Sequence, residues 1–461
     1  MLFNSYIYIF LLLPVTCILY FSCASRYPSL SKIWLIIASL FFYGWWNPSY
    51  IPLILASIVV NYFIGRTLLR AERGSYKSTL ILATGIITNL ITLGFFKYAD
   101  FIIESINALS GQSNQPLNIL LPLAISFFTF QQIAYLVDCA REQKRQYSFI
   151  NYMLFVCFFP QLIAGPIVHH KEMMPQFENK KNLTPINLNI ALGLLIFSMG
   201  LFKKIVFADT FAIWAVDGFD TAQSLSFLQA WATSFSYTFQ LYFDFSGYTD
   251  MAIGSALLLN IKLPLNFNSP YKACSIQEFW RSWHITLSRF LRDYLYIPLG
   301  GSQCSSLRIG INLFVTFLLG GLWHGASWTF VAWGALHGFA MVVFRLWSAT
   351  GVRLPRGLSW FTTFIFINFA WVIFRAESWG NAKKIFQGMI NIQHIEMINY
   401  IWIGALALGF AITLFAPNTN RLRDMAISNH KTIAMMAGIL MFISIFILEV
   451  RKTSEFLYFQ F

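Results

Sequence analysis

The chain is 461 residues long, 57% of them apolar and 11% charged, where an ordinary soluble domain carries roughly 25% charged residues. With 48 Phe, 15 Trp and a mean hydropathy of +0.60, a soluble enzyme, a disordered chain and a fibrous repeat are excluded, and a polytopic membrane protein remains. The net charge of +13 reads as the Lys/Arg excess of cytoplasmic loops, which favours anionic lipid head groups and anionic cytosolic ligands; no basic domain stands apart, so nucleic acid is not an expected partner.

The N-terminal stretch MLFNSYIYIFLLLPVTCILYFSC lacks a basic n-region and a small-residue cleavage site, so it is expected to remain as a first helix over 5–23. Apolar stretches follow near 33–46, 51–65, 79–96, 118–137, 149–165, 188–210, 226–243, 250–261, 309–323, 326–345, 358–374, 399–416 and 432–449. Several fall short of the ~20 residues a helix needs to cross ~30 Å of hydrocarbon. The expected fold is therefore all-α: about eleven transmembrane helices with re-entrant and interfacial pieces, in one integral-membrane domain over 1–461. Arg66, Arg70, Arg73 and Lys77, and then Arg141, Lys144 and Arg145, mark cytoplasmic loops, while 98–117 holds Asp100 and Glu104 and no cation. Counting onward places both termini outside.

FFPQLIAGPI (158–167) has the Pro and Gly content of a re-entrant break and reads as scaffold. In YFDFSGYTDMAIG (242–254), Asp244, Ser246, Thr249 and Asp250 lie within an apolar run. A lipid-facing Asp is costly, so these residues either contact substrate in a cavity or pair with cations such as the Arg set of 281–292. The segment 262–308 is basic, with Lys262, Lys272, Arg281, Arg289, Arg292 and Arg308. Its centre, 276–296, reads as a cytoplasmic or interfacial amphipathic helix carrying Trp280, Trp283, Tyr294 and Tyr296, and His284 within it reads as a surface residue.

From Arg308, the apolar segment 311–323 reaches only about 20 Å as a helix. The break GGLWHGAS (320–327) is accordingly expected at membrane depth, with His324 in it. Irregular backbone is tolerated there only inside protein or along a wet cavity. His324 is thus either a general base for an alcohol or a structural group bonded to a freed carbonyl. His337, thirteen residues on, would face away from His324 on a shared helix and reads as structural; His394 and His430 fall in predicted loops. The six Cys are scattered without a CxxC pair or a His at ligand spacing, so neither a disulfide framework nor a metal site is expected. The absence of GxxxxGK, GxGxxG and GxSxG removes the usual support for ATP-driven transport, nicotinamide chemistry and a serine hydrolase. Broken helices with intramembrane His and Asp also suit a transporter or flippase, although two matching halves are not seen.

FFYGWWNPSY (41–50), LPLAISFFTFQQIAYLVD (121–138), FFPQLIAGPIVH (158–169), YFDFSGYTDMAIG, NFNSPYKACSIQEFWRSWHITLSRFLRDYLYIPLGG (266–301), GGLWHGASWTFVAWGALHG (320–338) and FAWVIFRAES (369–378) together resemble the membrane-bound O-acyltransferases (MBOAT), in the branch that O-acetylates alginate and peptidoglycan. The resemblance implies a bundle around a transmembrane tunnel and acyl transfer to a hydroxyl. It implies His324 as the family's histidine and His284 as the second site, orienting the donor or stabilising oxyanion charge. It further implies acetyl-CoA as a cytoplasmic donor, no bound cofactor or metal, and a periplasmic SGNH-type O-acetyltransferase as partner in the bacterial inner membrane. The end of the aromatic tail 451–461, FLYFQF, resembles a terminal motif of related members, which implies Tyr458 as an acyl carrier; an interfacial anchor is the alternative.

Overall fold

The structure, a computed structural model, describes residues 1–24, 26–142, 147–163, 165–426, 430–450 and 456–457. Among these residues the secondary structure is helical throughout, with no strand. Seven helices are long and apolar enough to cross a membrane: Pro48–Arg70, Tyr76–Ser110, Asn187–Thr221, Ser306–His324, Trp328–Ala349, Arg356–Arg375 and Lys431–Val450. An eighth span results if Tyr400–Phe415 and Thr419–Met425, bent by 59°, count as one. The difference from the expected eleven lies in Tyr8–Ala24 and Pro28–Gly44, which are apolar but short, and in Phe227–Leu258, 32 residues long and rich in polar side chains.

The chain divides into two compact units, Met1–Phe197 with Met251–Pro264, and Ser198–Asp250 with Leu265–Phe461. In the first, helices are tied by buried amides and hydroxyls. Asn89 Nδ2 donates to Asn61 Oδ1 (2.6 Å), Gln132 Nε2 to Ser57 Oγ (2.8 Å), and Tyr152 OH to Gln132 Oε1 (3.0 Å). Such links suit an environment where lipid supplies no hydrophobic drive between helices. The expected scaffold segment forms a short buried helix, Phe159–Leu162.

The second unit is organised on the Phe227–Asp250 part of the long helix. Sequence patterning breaks this helix at its polar residues, yet it runs unbroken and its Ser234, Ser236, Thr238, Asp244, Ser246 and Thr249 are buried. Neighbouring side chains satisfy several of them. Ser234 Oγ donates to Asn368 Oδ1 (2.9 Å), Asn368 Nδ2 to Thr238 Oγ1 (2.8 Å), and Trp402 Nε1 to Ser236 Oγ (2.8 Å). Hydropathy alone misses such a helix because protein, not lipid, surrounds it.

Helices Ser306–His324 and Trp328–Ala349 form an antiparallel hairpin. A Cβ at Gly321 would lie 2.7 Å from Gly334 Cα, one at Gly338 would meet Phe314 Cα at 3.0 Å, and one at Gly310 would meet Val342 at 3.7 Å. As one helix is followed forward, its partner is therefore met backward. Of the expected break over 320–327, residues 320–324 are helical and 325–327 are not. Ser305 Oγ caps the first helix by accepting from Arg308 N–H (3.5 Å), so the helix starts five residues before the apolar stretch and its 19 residues rise about 28 Å. Irregular backbone begins only at Gly325, which is extended (φ −162°, ψ 154°).

The segment 276–296 also departs from the expected single amphipathic helix. It consists of Ile276–Ser282, Ile285–Leu291 and a π-turn over Arg292–Tyr296. Its tryptophans belong to the interior: Trp283 is 1% exposed, with its ring centroid 5.0 Å from that of Trp371 and 5.6 Å from that of Phe279. Indole burial among rings, rather than a head-group layer, sets the course of this segment.

The hairpin contact leaves no room for side chains at Gly321 and Gly334. Gly334→Val is expected to lower the thermal melting point of the detergent-solubilised protein, at an overpacking cost of about 1–3 kcal/mol or more. Gly404→Ala, inside the helix Tyr400–Phe415 where a Cβ meets nothing within 4 Å, is expected to keep or slightly raise the melting point.

Candidate active site

One face of the first hairpin helix, through Gly310, Leu313, Phe317, Gly320 and His324, lines a cavity of about 920 Å³. From Gly310 to His324 this face extends about 21 Å. Trp333 borders the cavity beside His324 (ring centroids 5.1 Å apart), and Arg345 borders it near the open end of the hairpin. Arg281, Arg289 and Arg292 add three further guanidinium groups to the lining. The result is a mainly apolar channel with cationic groups on its wall and an imidazole at its far end. His324 is 4% exposed. Trp323, Trp333 and Phe374 meet its ring edge-on at 5.0, 5.1 and 5.3 Å.

His284 does not line this cavity, although Ile285, Leu287, Ser288 and Arg289 of the following helix do. It is fully buried and adopts the left-handed conformation (φ 42°, ψ 53°) at the start of that helix. Its Nδ1 lies 3.1 Å from Asn266 Oδ1, and Phe245 meets its ring edge-on at 4.8 Å. Burial lowers its pKa to about 3, so the ring is neutral at physiological pH. Trp323 links the two histidines, its ring centroid 5.0 Å from that of His324 and 6.3 Å from that of His284.

The expected cations for the 242–254 cluster are not the arginines of 281–292. Lys203 and Lys204 fill that role from the π-helical turn Lys203–Ala208. Lys203 Nζ lies 2.7 Å from Asp250 Oδ2, and Lys204 Nζ lies 2.6 Å from Asp244 Oδ1 and 2.9 Å from Asp209 Oδ1. Gly247 permits this approach, because a Cβ there would lie 2.7 Å from the Gly200 carbonyl oxygen. Sequence reading passed over both lysines, although two adjacent cations inside the apolar run 188–210 are themselves a signal.

Asp244 has a further partner. Its Oδ2 accepts the backbone N–H of Leu457 at 2.9 Å. Phe456 stacks on Tyr248 (centroids 4.1 Å, planes 19° apart) and lies 6.1 Å from Phe245, the ring that also meets His284. The described part of the tail is thus buried within one ring of His284. Tyr458 lies outside the described residues.

His337 is fully buried, and its Nδ1 accepts from Trp280 Nε1 at 3.2 Å. This fits the structural reading, on a different helix from His324. His394 is exposed, 3.5 Å from Glu396.

The family model of MBOAT, the membrane-bound O-acyltransferase family, matches residues 74–376. The chain is 50% identical to a peptidoglycan O-acetyltransferase of Helicobacter pylori, over 86% of this chain and 81% of that one. It is 39% identical to the probable alginate O-acetylase AlgI of Pseudomonas aeruginosa, over 90% and 81% of the two chains. A teichoic acid D-alanyltransferase of Bacillus subtilis is 25% identical over 67% of this chain and 80% of its own length.

Lys204 pairs with two carboxylates at once, the buried Asp244 and the half-buried Asp209. Lys204→Met leaves Asp209 and Asp244 without that cation, and breaking a buried pair from one side costs about 3–5 kcal/mol. Thermal unfolding of the variant is expected to show that loss, with partial recovery in Lys204→Met/Asp244→Asn.

Proposed function

The chain belongs to the membrane-bound O-acyltransferase family, and on that premise we propose that it moves acetyl from a cytoplasmic thioester donor, acetyl-CoA, to an extracytoplasmic hydroxyl. It is an acyltransferase and a multi-pass membrane protein. The observation that carries the proposal is His324 at the end of a long apolar cavity whose wall bears Arg281, Arg289, Arg292 and Arg345. Guanidinium groups suit the phosphates of coenzyme A, and the apolar barrel suits its narrow arm.

In the proposed reaction, His324 takes the proton of the acceptor hydroxyl as its oxygen attacks the thioester carbonyl. The carbon–sulfur bond breaks, and the leaving thiolate recovers that proton from the imidazolium. Excluding water from the His324 cage of Trp323, Trp333 and Phe374 limits wasteful hydrolysis. His284 is the second functional histidine and orients the reactants. The tail supplies the first acceptor: Tyr458 directly follows the Leu457 N–H that bonds Asp244, and its phenol carries acetyl onward.

The final product is an O-acetylated cell-envelope or secreted polysaccharide of the peptidoglycan or alginate type, the substrates named for the relatives. A periplasmic SGNH-type transferase takes the acetyl group from the membrane protein, which resides in the bacterial cytoplasmic membrane.

Purified protein with acetyl-radiolabelled acetyl-CoA tests this reading. His324→Ala is expected to lower acetyl-CoA consumption about 10²–10⁴-fold, the usual worth of a positioned base. Label consumed at the wild-type rate would remove His324 from the chemistry. Tyr458→Phe is expected to abolish covalently retained label while hydrolysis of acetyl-CoA continues; retained label would place the acetyl group on another residue.

A further inference from the structure

Asn266 lies in the irregular stretch that precedes the turn Pro270–Lys272, and it is 1% exposed. Two backbone hydrogen bonds lace this stretch to the His284 turn: Ile285 N–H to the Asn266 carbonyl (3.0 Å) and Asn268 N–H to the Ser282 carbonyl (2.9 Å). The Asn266 side chain adds three contacts through one atom. Oδ1 is 3.2 Å from Thr286 N, 2.9 Å from Thr286 Oγ1 and 3.1 Å from His284 Nδ1.

These contacts determine a proton position. A backbone N–H only donates, so the Asn266 atom facing Thr286 N is the amide oxygen and not the amide nitrogen. An amide oxygen only accepts, so His284 Nδ1 carries the hydrogen. In a neutral imidazole the other nitrogen, Nε2, then holds a lone pair. The left-handed backbone of His284 is unfavourable for a residue with a side chain, and the same Asn266 contacts hold it there.

We propose that Asn266 is a positioning residue that locks His284 in the Nδ1–H tautomer, so that Nε2 accepts a hydrogen bond and cannot donate one. This assignment rests on the acyl-transfer reading above and refines it. A donor to the developing oxyanion must carry hydrogen, so that task falls to a group other than His284 Nε2. The ring sits on the tail side: Phe245 bridges His284 to Phe456, whereas the cavity assigned to the thioester is lined by other residues.

Several titratable groups sit on the elements packed around His284: the helix before it carries Glu278 and Arg281, and the long helix carries Tyr237, Tyr242 and Tyr248. The long helix brings Asp244 and Asp250, held by Lys204 and Lys203; the hairpin brings His324; the helix after His284 brings Arg289. Asn266→Asp keeps an accepting oxygen at Nδ1 and adds a negative charge that stabilises the imidazolium. Its kcat/KM is expected to stay within about tenfold of wild type, while the acidic limb of the pH profile moves up by about 1–3 pH units. Asn266→Ala is expected to lower kcat about a hundredfold with little change in KM for acetyl-CoA. An unshifted acidic limb in Asn266→Asp, or equal losses in both variants, would overturn the lock.

A measurement on the unmodified chain separates this proposal from the reaction it serves. In ¹⁵N-histidine-labelled protein, with the His284 signals identified by their loss in His284→Gln, the expected spectrum has a protonated Nδ1 and an unprotonated Nε2. The opposite tautomer defeats the proposal even where acetyl-CoA is consumed normally. The expected tautomer in a protein that consumes no acetyl-CoA supports the lock and defeats the acyl-transfer reading instead.

Discussion

Two helix backbones meet at Gly321 and Gly334, and that contact governs the candidate site. Closing the hairpin this tightly turns the face of Gly310, Leu313, Phe317, Gly320 and His324 toward one continuous cavity. It also delivers Trp333 from the second helix against the His324 ring. In lipid, helices gain little by hiding apolar side chains from one another, so close backbone approach through small residues is an effective source of association. The His324 imidazole inherits its place from that packing.

The other constraint is the cost of charge away from water. Asp244 and Asp250 are tolerated because Lys204 and Lys203 meet them from an adjacent helical turn, and Asp209 completes the pairing with Lys204. A carboxylate has more acceptor positions than one ammonium uses, and Asp244 spends one on the Leu457 N–H. The ion cluster therefore does two things with one set of atoms: it stabilises the polar helix and it fixes where the C-terminal tail enters. Tyr248 and Phe245 extend that anchoring through ring contacts with Phe456.

The two histidines differ in physical character. His324 borders a cavity and can meet a reagent there. His284 is sealed and held by an amide oxygen in a left-handed backbone conformation. Trp323 between them ties the turn of the hairpin to the turn of the 276–291 segment, so movement of either histidine is resisted by the same indole.

Composition alone determined the solvent of this protein, because a chain with 11% charged residues and 48 Phe has no water-soluble packing. Local motifs determined the family and pointed to His324 through its glycine-rich surroundings. Tertiary structure decided the rest. Hydropathy averages over all faces of a helix, so it split Phe227–Leu258 at residues that protein neighbours satisfy. It also treated Trp280 and Trp283 as head-group anchors when rings enclose them. The partners of Asp244 and Asp250 stand 40 and 47 residues away along the chain, and the oxygen that fixes the His284 tautomer stands 18 away. Pairings of that kind depend on which helices touch, and no local pattern encodes them.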